Sequence, residues 1–118
     1  MSDEFISLAT KEINEEISGI ETILKSCTND DDANQNSSQL ERHTHKIKGL
    51  APMMGKEELG ELSSQLDTLL KKIIDGKKVE KIFDILTESL NQMKKSMNEP
   101  NSNLNPITDK IKQCLSNL

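Results

Sequence analysis

The sequence has few of the residues that support aromatic cores, disulfide frameworks or loop-rich folds. Its 118 residues include no Trp, no Tyr, two Phe, two Cys, three Pro and five Gly. The core must therefore be built from Leu, Ile and Met, and so few Pro and Gly leave room for long uninterrupted helices. Cys27 and Cys114 have no Cys or His neighbour at metal-ligand spacing. We expect two free thiols that pack as small apolar groups.

The charge balance and the hydropathy exclude two classes of partner. The formal net charge is −5, and no basic cluster contains aromatic residues that could stack on bases, so nucleic-acid binding is not expected. No apolar stretch approaches the length of a membrane span, and the N-terminus lacks a signal-peptide pattern. We therefore expect a cytoplasmic protein with no membrane contact, whose residues 1–118 form a single domain.

Apolar residues recur every three or four positions along most of the chain, which predicts amphipathic helices. The polar stretch that contains Asp30-Asp31-Asp32 is expected to be a solvated loop. Pro52 predicts that the second helix ends near Leu50 or Ala51. The fold class is therefore all-α: an antiparallel up-down four-helix bundle with a fifth, C-terminal helix packed alongside. The predicted helices span residues 3–27, 38–51, 56–74, 78–97 and 106–117.

The second predicted helix carries the one segment that resembles a site, Arg42-His43-Thr44-His45-Lys46-Ile47-Lys48-Gly49. At about 100° per residue, His45 points away from the apolar stripe, beside Glu41, Lys48 and Gly49. A neutral imidazole is a competent nucleophile, and a lysine one turn away can neutralise a phosphoryl group. Glycine within a helix costs about 1 kcal/mol relative to alanine, and here it leaves space where a partner would approach.

Simpler interpretations compete with this one. A lone histidine on a polar helix face is usually a solvated residue, and only the ordered combination of His45, Lys48 and Gly49 favours a site. His43 lies at the edge of the apolar stripe and is expected to be a packed structural residue. Side chains two positions apart on a helix point about 200° apart, so His43 and His45 do not predict a metal site, and no metal is expected. Ser37 or Ser38 is expected to cap this helix, with Glu41 completing a capping box.

The segment resembles the phosphoacceptor helix of histidine phosphotransfer (HPt) domains, whose motif runs His-x-Leu/Ile-Lys-Gly. His45, Ile47, Lys48 and Gly49 match that motif, and Met53-Met54-Gly55 with the leucine-rich helix behind it is most similar to the N-terminal phosphoacceptor domain of CheA chemotaxis kinases. The resemblance covers about residues 3–97, and the last twenty more loosely. It implies that His45 accepts the phosphoryl group at Nε2 and that His43 is a bystander.

The third predicted helix departs from the CheA-like pattern of a histidine followed three residues later by a glutamate. Ser64 and Asp67 stand at those positions. In the family the glutamate hydrogen-bonds the acceptor imidazole and fixes its tautomer. Asp67 is one methylene shorter and could reach His45 directly, through a water, or not at all. Independently of the resemblance, equal helical rise from a turn at Met54-Gly55 places Ser64 and Asp67 level with His45.

These observations predict a phosphotransfer protein of two-component signalling. His45 would accept a phosphoryl group from a histidine-kinase ATP-binding domain, or from a receiver aspartate, and donate it to a response-regulator aspartate. Lys48 would screen the phosphoryl charge and Asp67 would orient the imidazole. The sequence has no glycine-rich phosphate loop, so no autonomous catalysis is expected, and Mg²⁺ and ATP would be held by partner domains. The residues expected to face partners are Glu41, Gly49 and Ser64.

Two alternatives stay open at this point. The chain could be a helical adaptor that binds a signalling partner, or an inactive HPt-like bundle that has lost its reactivity. A self-contained bundle with polar outer faces favours a monomer. The sequence is equally compatible with a free-standing protein and with a fragment of a larger kinase, of which it would then be the phosphoacceptor part.

Overall fold

Six helices form the computed structural model, which describes residues 2–118. Around the bundle, α1 packs against α3, α3 against α4, α4 against α6, α6 against α5, and α5 again against α1; the closest packing joins α3 and α4. The predicted all-α bundle is confirmed, and the C-terminal helix lies between α4 and α5 as part of the bundle wall. The helices are α1 (Asp3–Lys25), α2 (Asp30–Gln35), α3 (Ser37–Met53), α4 (Glu57–Ile74), α5 (Ile82–Asn98) and α6 (Asn105–Ser116).

The core is aliphatic, as the shortage of aromatic residues requires. Each long helix turns one apolar stripe inward, and residues at the three-and-four spacing are buried. Cys27 is buried and Cys114 half-buried, and both are free thiols. Within residues 2–118, no helix is both long and apolar enough to cross a membrane. The largest fully buried side chains are Ile13, Ile20, Leu40, Ile47, Leu59, Leu62, Leu66, Leu69, Leu70, Ile82, Leu86 and Met93.

The predicted loop between the first two long helices contains a short helix, α2, so that part of the prediction is wrong. Asn29 caps it by accepting a hydrogen bond from the Asp32 amide at 2.8 Å, and three acidic residues in its first turn suit the positive end of the helix dipole. Asp30 accepts hydrogen bonds from the amides of Lys81 and Phe83 at 3.1 and 2.9 Å. This acidic run therefore fixes the start of α5, at Ile82 rather than at residue 78.

The acceptor helix also differs from its predicted limits of residues 38–51. It begins at Ser37, and its N-cap Asn36 makes no side-chain capping bond, so the expected Ser38–Glu41 capping box is absent. Its end lies at Met53, beyond Pro52, because the proline stands in the last turn, where it removes one helical hydrogen bond. The turn after it resembles a Schellman motif: Gly55 has φ +82°, and the Lys56 amide donates to the Ala51 carbonyl at 2.9 Å.

Pro52 has a second role, because its ring packs directly on α4. A Cβ atom added at Gly60 would lie 2.7 Å from Pro52 Cγ and 3.0 Å from Pro52 Cδ. The absence of a side chain at Gly60 is therefore what allows α3 and α4 to approach closely just after their connecting turn. This crossing sets the register of α4 relative to α3 and so determines which α4 residues lie beside the middle of α3.

We predict opposite effects for two Gly→Ala substitutions inside helices. Gly60→Ala should destabilise the protein by about 1–3 kcal/mol, because the new methyl group overlaps the Pro52 ring. Gly49→Ala, with no atom within 4 Å of its Cβ position, should stabilise by up to about 1 kcal/mol through helix propensity alone. Urea unfolding of both variants measures the difference. A Gly60→Ala variant more stable than the wild type would contradict the close crossing.

Candidate functional site

His45 stands on an exposed ridge in the middle of α3. Its side chain is 61 % exposed, while Thr44 and Ile47 on the opposite side of the helix are fully buried and hold the helix in place. A groove of about 580 Å³ runs between α1 and α3 on one side of the ridge, and a smaller one of about 360 Å³ lies between α3 and α4 on the other. The α1–α3 groove is lined by Glu12, Glu15, Glu16, His45, Lys46, Gly49, Leu50 and Met53.

The imidazole faces a buried carboxylate that comes from α4. His45 Nδ1 lies 3.5 Å from Asp67 Oδ2, and the Asp67 side chain is only 1 % exposed. An ionised carboxylate can only accept a hydrogen bond, so the contact requires the proton on Nδ1 and leaves the Nε2 lone pair free. Asp67 therefore contacts the imidazole directly, although at 3.5 Å the hydrogen bond is long.

Three further groups surround Asp67. Lys71 Nζ, one turn along the same helix, lies 3.2 Å from Asp67 Oδ2, and Lys48 Nζ lies 3.8 Å from the same oxygen. The Thr44 hydroxyl is 3.5 Å from Asp67 Oδ1, but its shorter bond, at 3.0 Å, goes to the Glu41 carbonyl. The buried negative charge is thus compensated by two cations and polar hydrogens from α3 and α4.

These neighbours determine the charge state of Asp67. Burial by itself raises the pKa of Asp67, because it penalises the charged form. A hydrogen bond that the protonated Glu41 carboxyl donates in acid and a hydrogen bond from Lys71 outweigh that effect, and the Lys71 charge and the His45 hydrogen bond act in the same direction. The pKa of Asp67 consequently lies below its ordinary value of 3.8, and the carboxylate is ionised at neutral pH.

Glu41 completes what we call the carboxylate–imidazole cluster, which consists of Glu41, His45 and Asp67. One ligand atom from each member lies within 4.8 Å of the other two, a spacing that a divalent cation could bridge. Because Lys48 and Lys71 already direct ammonium groups at Asp67, such a cation would have to displace two positive charges. We interpret the cluster as a hydrogen-bonding arrangement around the imidazole.

The sequence matches the family described as "Hpt domain" over residues 4–96. The chain belongs to the Hpt domain family. No curated protein and no solved structure matches it significantly. Membership assigns the chain a phosphotransfer role in two-component signalling, and it agrees with an exposed histidine on a helical bundle.

The other residues predicted for this Hpt domain lie around His45 at different distances. Gly49 is exposed on the same side of α3, and no atom lies within 4 Å of its Cβ position. Lys48 is half-exposed at 41 % and close to Asp67. Ser64 is half-buried on α4, one turn before Asp67, and among the described residues its hydroxyl makes no hydrogen bond to His45.

His43 is held in a different environment from His45. Its Nδ1 lies 2.7 Å from Glu16 Oε1 on α1, and its ring packs so closely on Gly19 that a Cβ there would lie 2.7 Å from His43 Nε2. Both ring nitrogens therefore face α1. The structure agrees with the interpretation of His43 as a packed residue that joins α1 to α3.

Sequence reasoning missed the closest cation to Asp67. Lys71 was not singled out as a site residue, yet its ammonium lies nearest to the buried carboxylate. The signal was present, because Asp67 and Lys71 are four positions apart on one helix, the spacing at which opposite charges meet. Met53, singled out in the sequence only as part of the Met53-Met54-Gly55 segment, is 57 % exposed at the rim of the α1–α3 groove.

We predict that Asp67→Asn lowers stability at neutral pH by about 1–2 kcal/mol, because Lys48 and Lys71 lose their shared carboxylate but can rehydrate. Since the folded-state pKa of Asp67 lies below 3.8, its ionised form stabilises the fold above that pH. This contribution disappears as pH falls through the lowered pKa. The difference in the free energy of unfolding between wild type and variant should therefore become smaller as the pH is lowered, as measured by urea unfolding at several pH values.

Asp109→Asn serves as the matched control, because Asp109 is exposed on α6 and its removal changes the net charge equally. If Asp67→Asn lowers the free energy of unfolding by the same amount at every pH, lost packing and not the carboxylate charge causes the destabilisation.

Proposed function

We propose that His45 is the phosphoacceptor of this Hpt domain. The observation that carries the proposal is the combination of an exposed imidazole with an Nδ1 atom that faces a buried, ionised carboxylate, Asp67. That pairing holds the proton on Nδ1, so the nucleophilic Nε2 points outward. The Nε2–phosphorus bond forms as the donor's bond to phosphorus breaks, and the ring gains a positive charge that Asp67 faces.

Lys48 and Gly49 support the proposal in different ways. Lys48 has a long side chain with four rotatable bonds and is 41 % exposed, so its ammonium can leave Asp67, where Lys71 remains, and turn to a phosphoryl group on His45. Gly49 leaves open space one turn further along α3, where a side chain would meet the partner's active site. No atom lies within 4 Å of the Gly49 Cβ position, and the ion pair of Lys48 with Asp67 is longer than that of Lys71, so neither residue is tied to one structural role on this face.

Two kinds of partner fit an acceptor with no phosphate-binding loop of its own. A histidine-kinase ATP-binding domain, or a phosphorylated receiver, would donate the phosphoryl group, and a response-regulator receiver aspartate would accept it. Both reactions need Mg²⁺, and the ATP-dependent one also needs nucleotide; the partner would hold both. The α1–α3 groove beside His45, with Leu50 and the exposed Met53 at its rim, offers the partner an apolar contact next to the reactive atom.

Within the family, the sequence after the acceptor favours a CheA-like pathway, and we extend the proposal to a chemotaxis-type kinase as the donor. Its support is the Met53-Met54-Gly55 turn followed by the leucine face of α4. With a CheA-type catalytic domain as the sole donor, we expect the phosphoryl group to reach a receiver through this domain. Failure of that transfer would count against this extension only.

The acceptor assignment can be tested with phosphoramidate, a small donor that requires no partner protein. We expect the wild type to gain one acid-labile phosphoryl group and His45→Gln to gain none, measured by intact mass and peptide mapping. His43→Gln is the matched control, a second histidine on the same helix whose nitrogens face α1, and it should be phosphorylated like the wild type.

Unmodified wild type, or an adduct that persists in His45→Gln, would refute the proposal. The first result would favour the alternative of an adaptor or an inactive bundle, and the second would place the acceptor elsewhere. Melting temperatures of both variants establish that the histidines have been replaced without unfolding the domain.

A further inference from the structure

We infer that Glu41 is a second positioning residue for the His45 imidazole, sharing this role with Asp67. Glu41 Oε2 lies 3.7 Å from His45 Nδ1, and Asp67 Oδ2 lies 3.5 Å from the same nitrogen. The two carboxylates approach from different elements, one from the preceding turn of α3 and one from α4. This inference rests on the proposed phosphoacceptor role of His45.

The conformation of Glu41 supports the inference. Its side chain is only 18 % exposed, although the histidine beside it is 61 % exposed. A glutamate on a helix surface gains rotamer freedom and hydration by extending into water, and Glu41 instead turns toward α4. The expected capping box with Ser38 does not form, so Glu41 does not serve the start of the helix.

The groups around Glu41 make its ionised form unfavourable in the folded protein. The groups that face Glu41 are Asp67 and Lys71 on α4 and His45 on its own helix. The hydrogen bond to Asp67, burial, and repulsion from the Asp67 charge raise the pKa of Glu41 above its ordinary 4.5; Lys71 and His45 only reduce that effect. An ionised Glu41 therefore weakens the fold at neutral pH. Stability does not explain why the side chain lies here, whereas a role in positioning the imidazole does.

Two carboxylates beside Nδ1 favour one ring state. Asp67 accepts the long hydrogen bond from Nδ1–H at 3.5 Å, and the Glu41 carboxylate at 3.7 Å attracts the same proton electrostatically, so the lone pair stays on Nε2. With phosphoramidate, the Nε2–phosphorus bond forms while the phosphorus–nitrogen bond breaks and ammonia leaves. The ring keeps its Nδ1 proton and becomes a phosphorylated imidazolium, whose positive charge both carboxylates face. Glu41 and Asp67 thus stabilise the product side of the step by acting through the ring.

The test compares Glu41→Gln with Glu80→Gln, which removes the same charge from an exposed loop position. We expect Glu41→Gln to lower the rate constant for phosphorylation by phosphoramidate about threefold and Glu80→Gln to leave it unchanged. In an Asp67→Asn background, Glu41 would be the sole carboxylate beside Nδ1. Glu41→Gln should then lower the phosphorylation rate constant by a larger factor than it does in the wild type.

Two further readouts separate positioning from a structural role. Nitrogen-15 chemical shifts of the His45 ring should show less of the Nδ1–H tautomer in Glu41→Gln than in the wild type. The same variant should be more stable than the wild type at neutral pH, because the pKa of Glu41 is raised in the folded state. That gain should vanish as pH falls through the raised pKa toward 4.5, where Glu41 is protonated.

An unchanged ring tautomer overturns the inference. In a wild type that accepts phosphate, a rate for Glu41→Gln equal to that of Glu80→Gln overturns it as well. If the wild type accepts no phosphoryl group, the proposed function fails separately, and the tautomer comparison alone decides whether Glu41 positions the imidazole.

Discussion

A buried carboxylate is the constraint on which the arrangement of this site depends. An ionised aspartate that is 1 % exposed must be compensated by cations and hydrogen-bond donors, or the fold loses several kcal/mol. For Asp67 these partners come from two helices: Lys71 from α4 itself, and Lys48 and His45 from α3. The need to satisfy one charge therefore fixes the register of α3 against α4.

The crossing near the connecting turn acts on the same register from the other end. Pro52 sits on Gly60 at a distance that admits no side chain, and the Gly55 turn closes α3 just beyond the proline. From this point both helices advance by the same rise per residue, so Asp67 arrives level with His45. A proline that removes one hydrogen bond from α3 thus serves the site by fixing the distance between two helices.

Sequence patterns were sufficient wherever a property is local or periodic. The bundle followed from apolar spacing, and the pairing of Asp67 with His45 could be anticipated from helical rise, which needs only a turn position. The features that the sequence did not predict depend on contacts between residues far apart in the chain. The short helix α2 is anchored by Asp30, whose partners, the amides of Lys81 and Phe83, lie about fifty residues away. The end of α3 was misplaced because a rule for proline does not include the packing of its ring on another helix.

The two histidines of α3 differ in how tightly their rings are held, and this difference supports the proposal that His45 is the phosphoacceptor. His43 has the tighter contact, 2.7 Å to Glu16, and it is 29 % exposed with Nε2 against Gly19. That geometry stabilises the packing of α1 on α3 but leaves no nitrogen for an incoming phosphorus atom. His45 has only long contacts, yet its ring is open to solvent and the charged groups nearest to its Nδ1 are the carboxylates of Glu41 and Asp67. A phosphoryl carrier must gain a bond at Nε2 and lose it again, and exposure with diffuse charge stabilisation permits both directions, whereas a buried and tightly paired ring permits neither.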